Sequence, residues 1–185
     1  GWFLVDPGVE LNVSNIEFDG DGNDIYQAFR HKGTGTFDNV RFTDIEFPSY
    51  AGVAVAAFGQ VGAVDVSNSE FSEIGRIGVL YFGAGTSGSF TDNVYVGKGA
   101  VDGLDYAVEV GAGAVATIEG NDISGNTGEA SNDGSTSAGV LVTTYYGAGS
   151  EATLNNNNIH DNTASVAVGF DETDTSTVTF GTGGD

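Results

Sequence analysis

Val13-Ser14-Asn15-Ile16-Glu17-Phe18 returns as Phe37-Asp38-Asn39-Val40-Arg41-Phe42 and again as Val66-Ser67-Asn68-Ser69-Glu70-Phe71. Each copy reads apolar-x-Asn-x-x-Phe. Looser copies follow at Thr91-Asp92-Asn93-Val94-Tyr95-Val96, Ile118-Glu119-Gly120-Asn121-Asp122-Ile123 and Leu154-Asn155-Asn156-Asn157-Asn158-Ile159, and another begins at Val178. A strand this short buries no face alone, so the copies must stack on one another. Stacking turns the repeat into columns. Phe18, Phe42 and Phe71 lie inside, continued by Val96, Ile123 and Ile159. Asn15, Asn39, Asn68, Asn93 and Asn156 form an Asn ladder at a bend, because Asn tolerates left-handed backbone and its amide bonds the rungs above and below.

A second apolar strand follows each copy: Gly52-Val53-Ala54-Val55, Gly78-Val79-Leu80-Tyr81, Ala107-Val108-Glu109-Val110, Gly139-Val140-Leu141-Val142 and Ser165-Val166-Ala167-Val168, with Ile25 as its counterpart in the first rung. One connection between the strands keeps a nearly fixed length and the other varies, as in a coil whose loops leave one edge. Thirty Gly against two Pro suit many tight turns, and no helical period is present. These features predict an all-β chain, a right-handed parallel β-helix of about seven rungs, and at about 4.8 Å per rung a rod of roughly 30 Å. A left-handed β-helix would need strict hexapeptides, which are absent; a sandwich would need hairpin turns between alternating strands, whereas the in-register Asn and Phe columns favour stacking.

Asn121-Asp122-Ile123-Ser124-Gly125-Asn126-Thr127 and Asn157-Asn158-Ile159-His160-Asp161-Asn162-Thr163 resemble the repeat of pectate-lyase-like right-handed β-helix proteins. The resemblance runs from about Leu11 to Phe180. It implies the fold and leaves function open, since that architecture hosts lyases, hydrolases, epimerases, adhesins and spikes.

Composition narrows the partners. Five Lys and Arg face 26 Asp and Glu, a net charge of -21. Phosphate neutralisation needs clustered cations, so nucleic acid is not an expected partner. An anionic membrane surface is disfavoured for the same reason, and no run is long enough to span a bilayer. Disorder is argued against by 39% hydrophobic and 11% aromatic content. A folded, acidic, lysine-poor chain looks like the proteins of extreme halophiles, where carboxylates hold water and salt screens their repulsion. There is no Cys, so no disulfide framework, and no secretory signal is visible. Residues 1–185 read as a single β-helix domain, a piece of a larger protein, with a polar loop at 125–138 whose low complexity suits a mobile excursion and whose place suits binding.

Candidate chemistry is sparse. Asp19, Asp21 and Asn23 alternate in Asp19-Gly20-Asp21-Gly22-Asn23-Asp24 as calcium ligands do, but Arg30 stands where an EF-hand needs its Glu. A Gly/Asp turn explains the same residues. His160-Asp161 is the most enzyme-like pair, although His160 fills a position held by Ser72 and Ser124 in other rungs, which reads as an ordinary solvent-facing turn. His31 reads as surface. Two acidic columns, Asp38, Asp92 and Glu119, and Glu17, Glu70 and Asp122, offer carboxylate pairs of the kind used in glycoside hydrolysis. With so many acids such pairs also arise by chance. Phe29, Phe58, Phe82, Tyr145 and Phe170 recur after the second strand; inward they are core, outward they would stack on sugar rings or a partner. An apolar outward register, Ala54, Leu80, Leu141 and Ala167, broken by Glu109, calls for a covering partner, domain or loop. Asn12-Val13-Ser14 is a glycosylation sequon in a strand.

The expected function is a non-catalytic extracellular or cell-surface module of a halophile with a structural, adhesive or carbohydrate-binding role, requiring no cofactor and with calcium as an optional ligand. A polysaccharide lyase or glycoside hydrolase of the same fold is the alternative, with acids around His160. An oligomeric viral or filament spike is the third.

Overall fold

The computed structural model describes residues 1–48, 51–59, 62–144 and 147–181. These form strands and no helix. The ladders between strands are parallel, and the chain coils as a β-solenoid of about seven turns. One face is a seven-stranded sheet of Phe3–Val5, Gln27–His31, Val53–Phe58, Ile77–Phe82, Tyr106–Gly111, Ala138–Thr143 and Val166–Val168. The other sheet has eleven strands. It begins with the long Glu10–Asp19 and Thr34–Ile45. It continues as pairs of short strands such as Gly62–Ser67 with Glu70–Ile74, and Val115–Glu119 with Asp122–Ser124.

A column of left-handed residues creases this second sheet into two faces. Positive φ falls at Asn15 (56°), Asn39 (53°), Asn68 (50°), Asp92 (56°), Gly120 (69°) and Asn156 (54°). An ordinary residue is disfavoured there by roughly 1–2 kcal/mol, and Asn, Asp and Gly are disfavoured least. The Asn39 amide donates to Asn15 Oδ1 at 2.8 Å, and the Asn68 amide to Asp38 Oδ1 at 2.8 Å.

One residue further on, the chain points back inside and a second ladder is buried. The Ser69 N–H donates to Asn93 Oδ1, the Asn93 N–H to Asn121 Oδ1 and the Asn121 N–H to Asn157 Oδ1. Each amide also crosses the turn, Asn93 to the Val66 carbonyl, Asn121 to Phe90 and Asn157 to Ile118. A buried amide stabilises only when its donors and acceptor are matched, and here all are.

The fourth turn therefore differs by one residue from the alignment of the repeats. Asp92, not Asn93, holds the bend, and Asn93 belongs to the buried ladder. Tyr95, not Val96, continues the column of Phe18, Phe42 and Phe71, paired with Phe71 on one side and Ile123 on the other. Val96 is exposed. The acidic columns shift too: Thr91 stands between Ser67 and Glu119, and Val94 between Glu70 and Asp122. A one-residue slip exchanges the faces of a strand. The register that buries the Tyr95 ring and satisfies Asn93 prevails over the one that merely lines up Asn with Asn.

Aromatic stacking fills the upper interior, with Phe18 and Phe42 5.5 Å apart and Phe42 and Phe71 5.1 Å apart. Replacing Asn121 by Ala would orphan the Asn93 and Phe90 backbone groups and one amide of its neighbours, costing about 2–4 kcal/mol. Asn39→Ala, on the exposed bend, should cost only about 1–2 kcal/mol. Denaturant unfolding of the two variants checks this order; equal losses would count against the buried ladder as the stronger restraint.

Candidate ligand-binding cleft

Strand pairing on the seven-stranded face aligns Leu4, Arg30, Ala56, Leu80, Glu109, Leu141 and Ala167 in one outward column. Leu80, Leu141 and Ala167 stand as expected, but Ala54 does not: it is buried in the main core and Ala56 takes its place. Alternation breaks because the chain turns a corner at Ala54. Gly78 and Gly139 occupy that corner in other turns. An added Cβ would lie 2.8 Å from the Tyr95 ring at Gly78 and 2.7 Å from the Ile159 side chain at Gly139.

The outer side of this sheet carries a second apolar cluster. Val53, Ala56, Ile77, Leu80, Tyr106 and Ala138 are buried in it, and Phe58, Phe82, Leu104 and Leu141 pack against them. An outer sheet face stays apolar only where something covers it. Two loops, at 97–105 and 125–137, cover part of it, and Asp105 pins both. Asp105 is fully buried. Its carboxylate accepts from the Tyr95 hydroxyl and from the Lys98 N–H at 2.8 Å, while its own N–H donates to Ser137 Oγ at 2.9 Å. Burial raises its pKa, and the Tyr95 and Lys98 contacts oppose the rise. The loops also meet where Ser131 donates through its N–H and hydroxyl to the Asp102 carboxylate.

Between these loops and the sheet lies a cleft of about 430 Å³. Phe82, Leu104, Leu141 and Phe170 supply apolar walls, and Arg76, Tyr106, Glu109 and Asp133 supply polar groups. Glu109 is the acid that interrupts the apolar column. Burial raises its pKa and Arg76 partly offsets the rise. The Tyr106 phenol is pushed up to about 12, first by burial and then by Glu109. Asp133, at the exposed rim, moves the other way because the Ser135 backbone and side chain hydrogen-bond its carboxylate. The side-chain polar groups of Arg76, Tyr106 and Glu109 make no hydrogen bond or close ion pair among the described residues. Convergent polar groups left open in an apolar recess are the usual form of a small-ligand site.

The sequence singled out other residues first. His160 does share a column with Ser124 and stands on the surface. Its Nδ1 meets Asp161 Oδ2 at 2.8 Å and its Nε2 meets Asp122 Oδ1 at 2.9 Å. Both ring nitrogens are engaged, which suits an imidazolium clamp better than a free base. The Asp161 hydrogen bond, then Asp122, raises its pKa. Asp19 Oδ1 accepts the Asp21 N–H at 2.8 Å, and the Asn23 amide donates to the Gly20 carbonyl at 2.7 Å, which is the bonding of a tight turn. Beside that turn an acidic trough of about 540 Å³ runs past Asp24, Asp44, Glu46, Glu73 and Asp102, with Lys98 at its edge. It is larger than the cleft, but its lining is mainly acidic, with Phe47 as its one aromatic ring and Lys98 turned to the Gly75 carbonyl. Among the described residues no three His, Asp or Glu gather closely enough to hold a metal. The recurring aromatics divide: Phe29 is core, Phe58 and Phe82 face outward half-covered, and Phe170 is exposed. Tyr145 lies outside the described residues. Arg76 and Tyr106 escaped sequence reasoning; the lone charge of Glu109 in an apolar column was the available signal.

His31 is not at the surface. It is fully buried against Phe37, 6.0 Å between ring centroids, and among the described residues neither ring nitrogen has a well-formed hydrogen bond. Burial lowers its pKa, with the Gly33 backbone opposing.

Comparisons with protein families, with curated proteins and with solved structures find no match to this chain.

The two histidines should titrate on opposite sides of the ordinary value of about 6.5. His31, depressed, contributes stability that is present above about pH 6.5 and is lost as pH falls through its folded pKa. His160, raised, contributes stability that is present below about pH 6.5 and is lost as pH rises through its folded pKa. Imidazole NMR titration, assigned with His31→Phe and His160→Gln, checks this; the reverse order would contradict both environments.

Proposed function

We propose that this chain is a non-catalytic β-solenoid module of an extracellular or cell-surface protein of a halophile, and that its cleft holds a neutral glycan. The observation carrying the reading is the open trio of Arg76, Tyr106 and Glu109 framed by Phe82, Leu104, Leu141 and Phe170. Sugars present alternating apolar faces and hydroxyls, which suit aromatic walls and a few fixed donors and acceptors. A net charge of -21 repels polyanions, which favours an uncharged ligand. The halophile assignment is supported by 26 acids against five cations, which leaves most carboxylates without a cation to pair.

Titration calorimetry in molar salt with neutral oligosaccharides tests the cleft. Arg76→Ala and Glu109→Leu should each weaken binding about tenfold or more. Binding that ignores both variants would sink the reading. A hydrolytic role is favoured by one observation: two carboxyl groups, Glu109 and Asp133, line the same cleft, and glycoside hydrolysis uses such a pair. Reducing ends released by the wild type and abolished in Glu109→Gln would establish it in place of simple binding.

Salt provides a separate check. Unfolding midpoints should climb as sodium chloride rises from tens of millimolar to molar, because screening relieves carboxylate repulsion. A salt-independent midpoint would remove the halophile assignment and leave the cleft untouched.

A further inference from the structure

We propose that the cleft is one end of a linear track, and that its ligand is an extended neutral oligosaccharide lying along the rod axis over successive turns. The inference rests on the reading of the cleft as a glycan site and adds the shape of the ligand and its second subsite.

The track is built by register. Phe58 pairs with Phe82, Phe82 with Gly111 and Gly111 with Thr143, so these four occupy one outward column across consecutive turns. The Phe58 and Phe82 rings stand 5.3 Å apart at a 44° tilt. Both are half-covered, so part of each ring meets solvent. Gly111 follows. Its missing side chain opens the recess: an added Cβ there would sit 3.0 Å from the Phe82 ring and within 3.9 Å of the Glu109 carboxylate. A platform of two aromatic rings therefore runs straight into the floor of the cleft, with Phe82 belonging to both.

Charge marks the same line. Arg30 lies over the Phe58 ring at 5.3 Å from its centroid, and Arg76 lines the cleft. Two of the five cations of a chain with 26 acids thus border one aromatic strip. A guanidinium placed over a ring keeps donors at its edge for a hydroxylated ligand beside the aromatic strip. Turns rise by about 4.8 Å, close to the length of one sugar unit in an extended chain. A glycan parallel to the axis would present successive units to successive turns; a peptide, with alternating side chains and a shorter rise per residue, would not keep that register.

The test is a length series. Gluco-, manno-, xylo- and chito-oligosaccharides, each from disaccharide to hexasaccharide, are titrated into the wild type, Phe58→Ala and Arg76→Ala in molar salt. Circular dichroism and unfolding midpoints confirm that each variant is folded. Affinity in at least one series should rise about tenfold with length. Phe58→Ala should abolish that rise while leaving the shortest bound sugar unchanged, whereas Arg76→Ala should weaken every length. Affinity already maximal for the shortest sugar, or a rise that survives Phe58→Ala, overturns the track and leaves the cleft standing. Failure of all four series to bind overturns both. Extended peptides that bind in a Phe58-dependent way, with the sugars silent, overturn the glycan assignment in favour of a protein partner.

Discussion

The structure depends on matching one turn to the next without slippage. Parallel strands stacked as a solenoid have no hairpin to fix their register, and a slip of one residue would turn the core outward. The buried amides of Asn93, Asn121 and Asn157 remove that freedom. Each bonds a partner in the neighbouring turn and a carbonyl of its own sheet. A slipped turn would strand several buried donors and acceptors together. At the upper turns, where Ile16, Val40 and Ser69 precede the amides in this column, ring stacking of Phe18, Phe42 and Phe71 takes over. Shape holds one end of the rod and hydrogen bonding the other.

That division explains which features were legible in the sequence. The first three repeats were readable because Phe and the left-handed Asn coincide in every copy. The fourth misled because Asp92 and Asn93 are both acceptable bend residues, and only the burial of Tyr95 decides between them. The interior ladder was hidden, since Asn in a strand reads as polar and outward until three copies are seen to face one another. His31 misled in the same way: beside Lys32 it reads as surface, yet strand pairing sets it level with Val5 and Ala57 inside the coil. The cleft was half legible. An apolar outward column with one Glu announced a covered face, but the corner at Ala54 shifted its membership. The loops that cover the face share no repeat.

Acidity and fold are kept apart spatially. The interior holds amides, rings and aliphatics, while the charged groups lie outside, where salt and water bear the cost of their repulsion. Glu109 and Asp105 are the informative departures. Asp105 accepts two hydrogen bonds and ties the 97–105 loop to the sheet-side Tyr95, so its burial is explained by structure. Among the described residues Glu109 has no such partners, and it is held near Arg76 in a recess. A carboxyl placed in an apolar setting without donors is a destabilising choice unless something outside the chain answers it.

The two acids are connected by construction. Asp105 precedes the strand that carries Tyr106 and Glu109, so anchoring the loop at Asp105 also sets where that strand enters the sheet. Ser137 meets the Asp105 N–H immediately before the next strand begins at Ala138, which brings Asp133 and Ser135 to the rim above Glu109. The variable connections of the solenoid are thus placed by the same turn-to-turn bonding that fixes its core. A regular rod with loops on one edge yields a site when a buried residue fastens two loops across neighbouring turns, and when one turn supplies a glycine, Gly111, where the two turns before it supply Phe58 and Phe82. The recess is a local failure of repetition, and it lies beside Arg76, the half-covered Phe82 ring and the exposed Phe170.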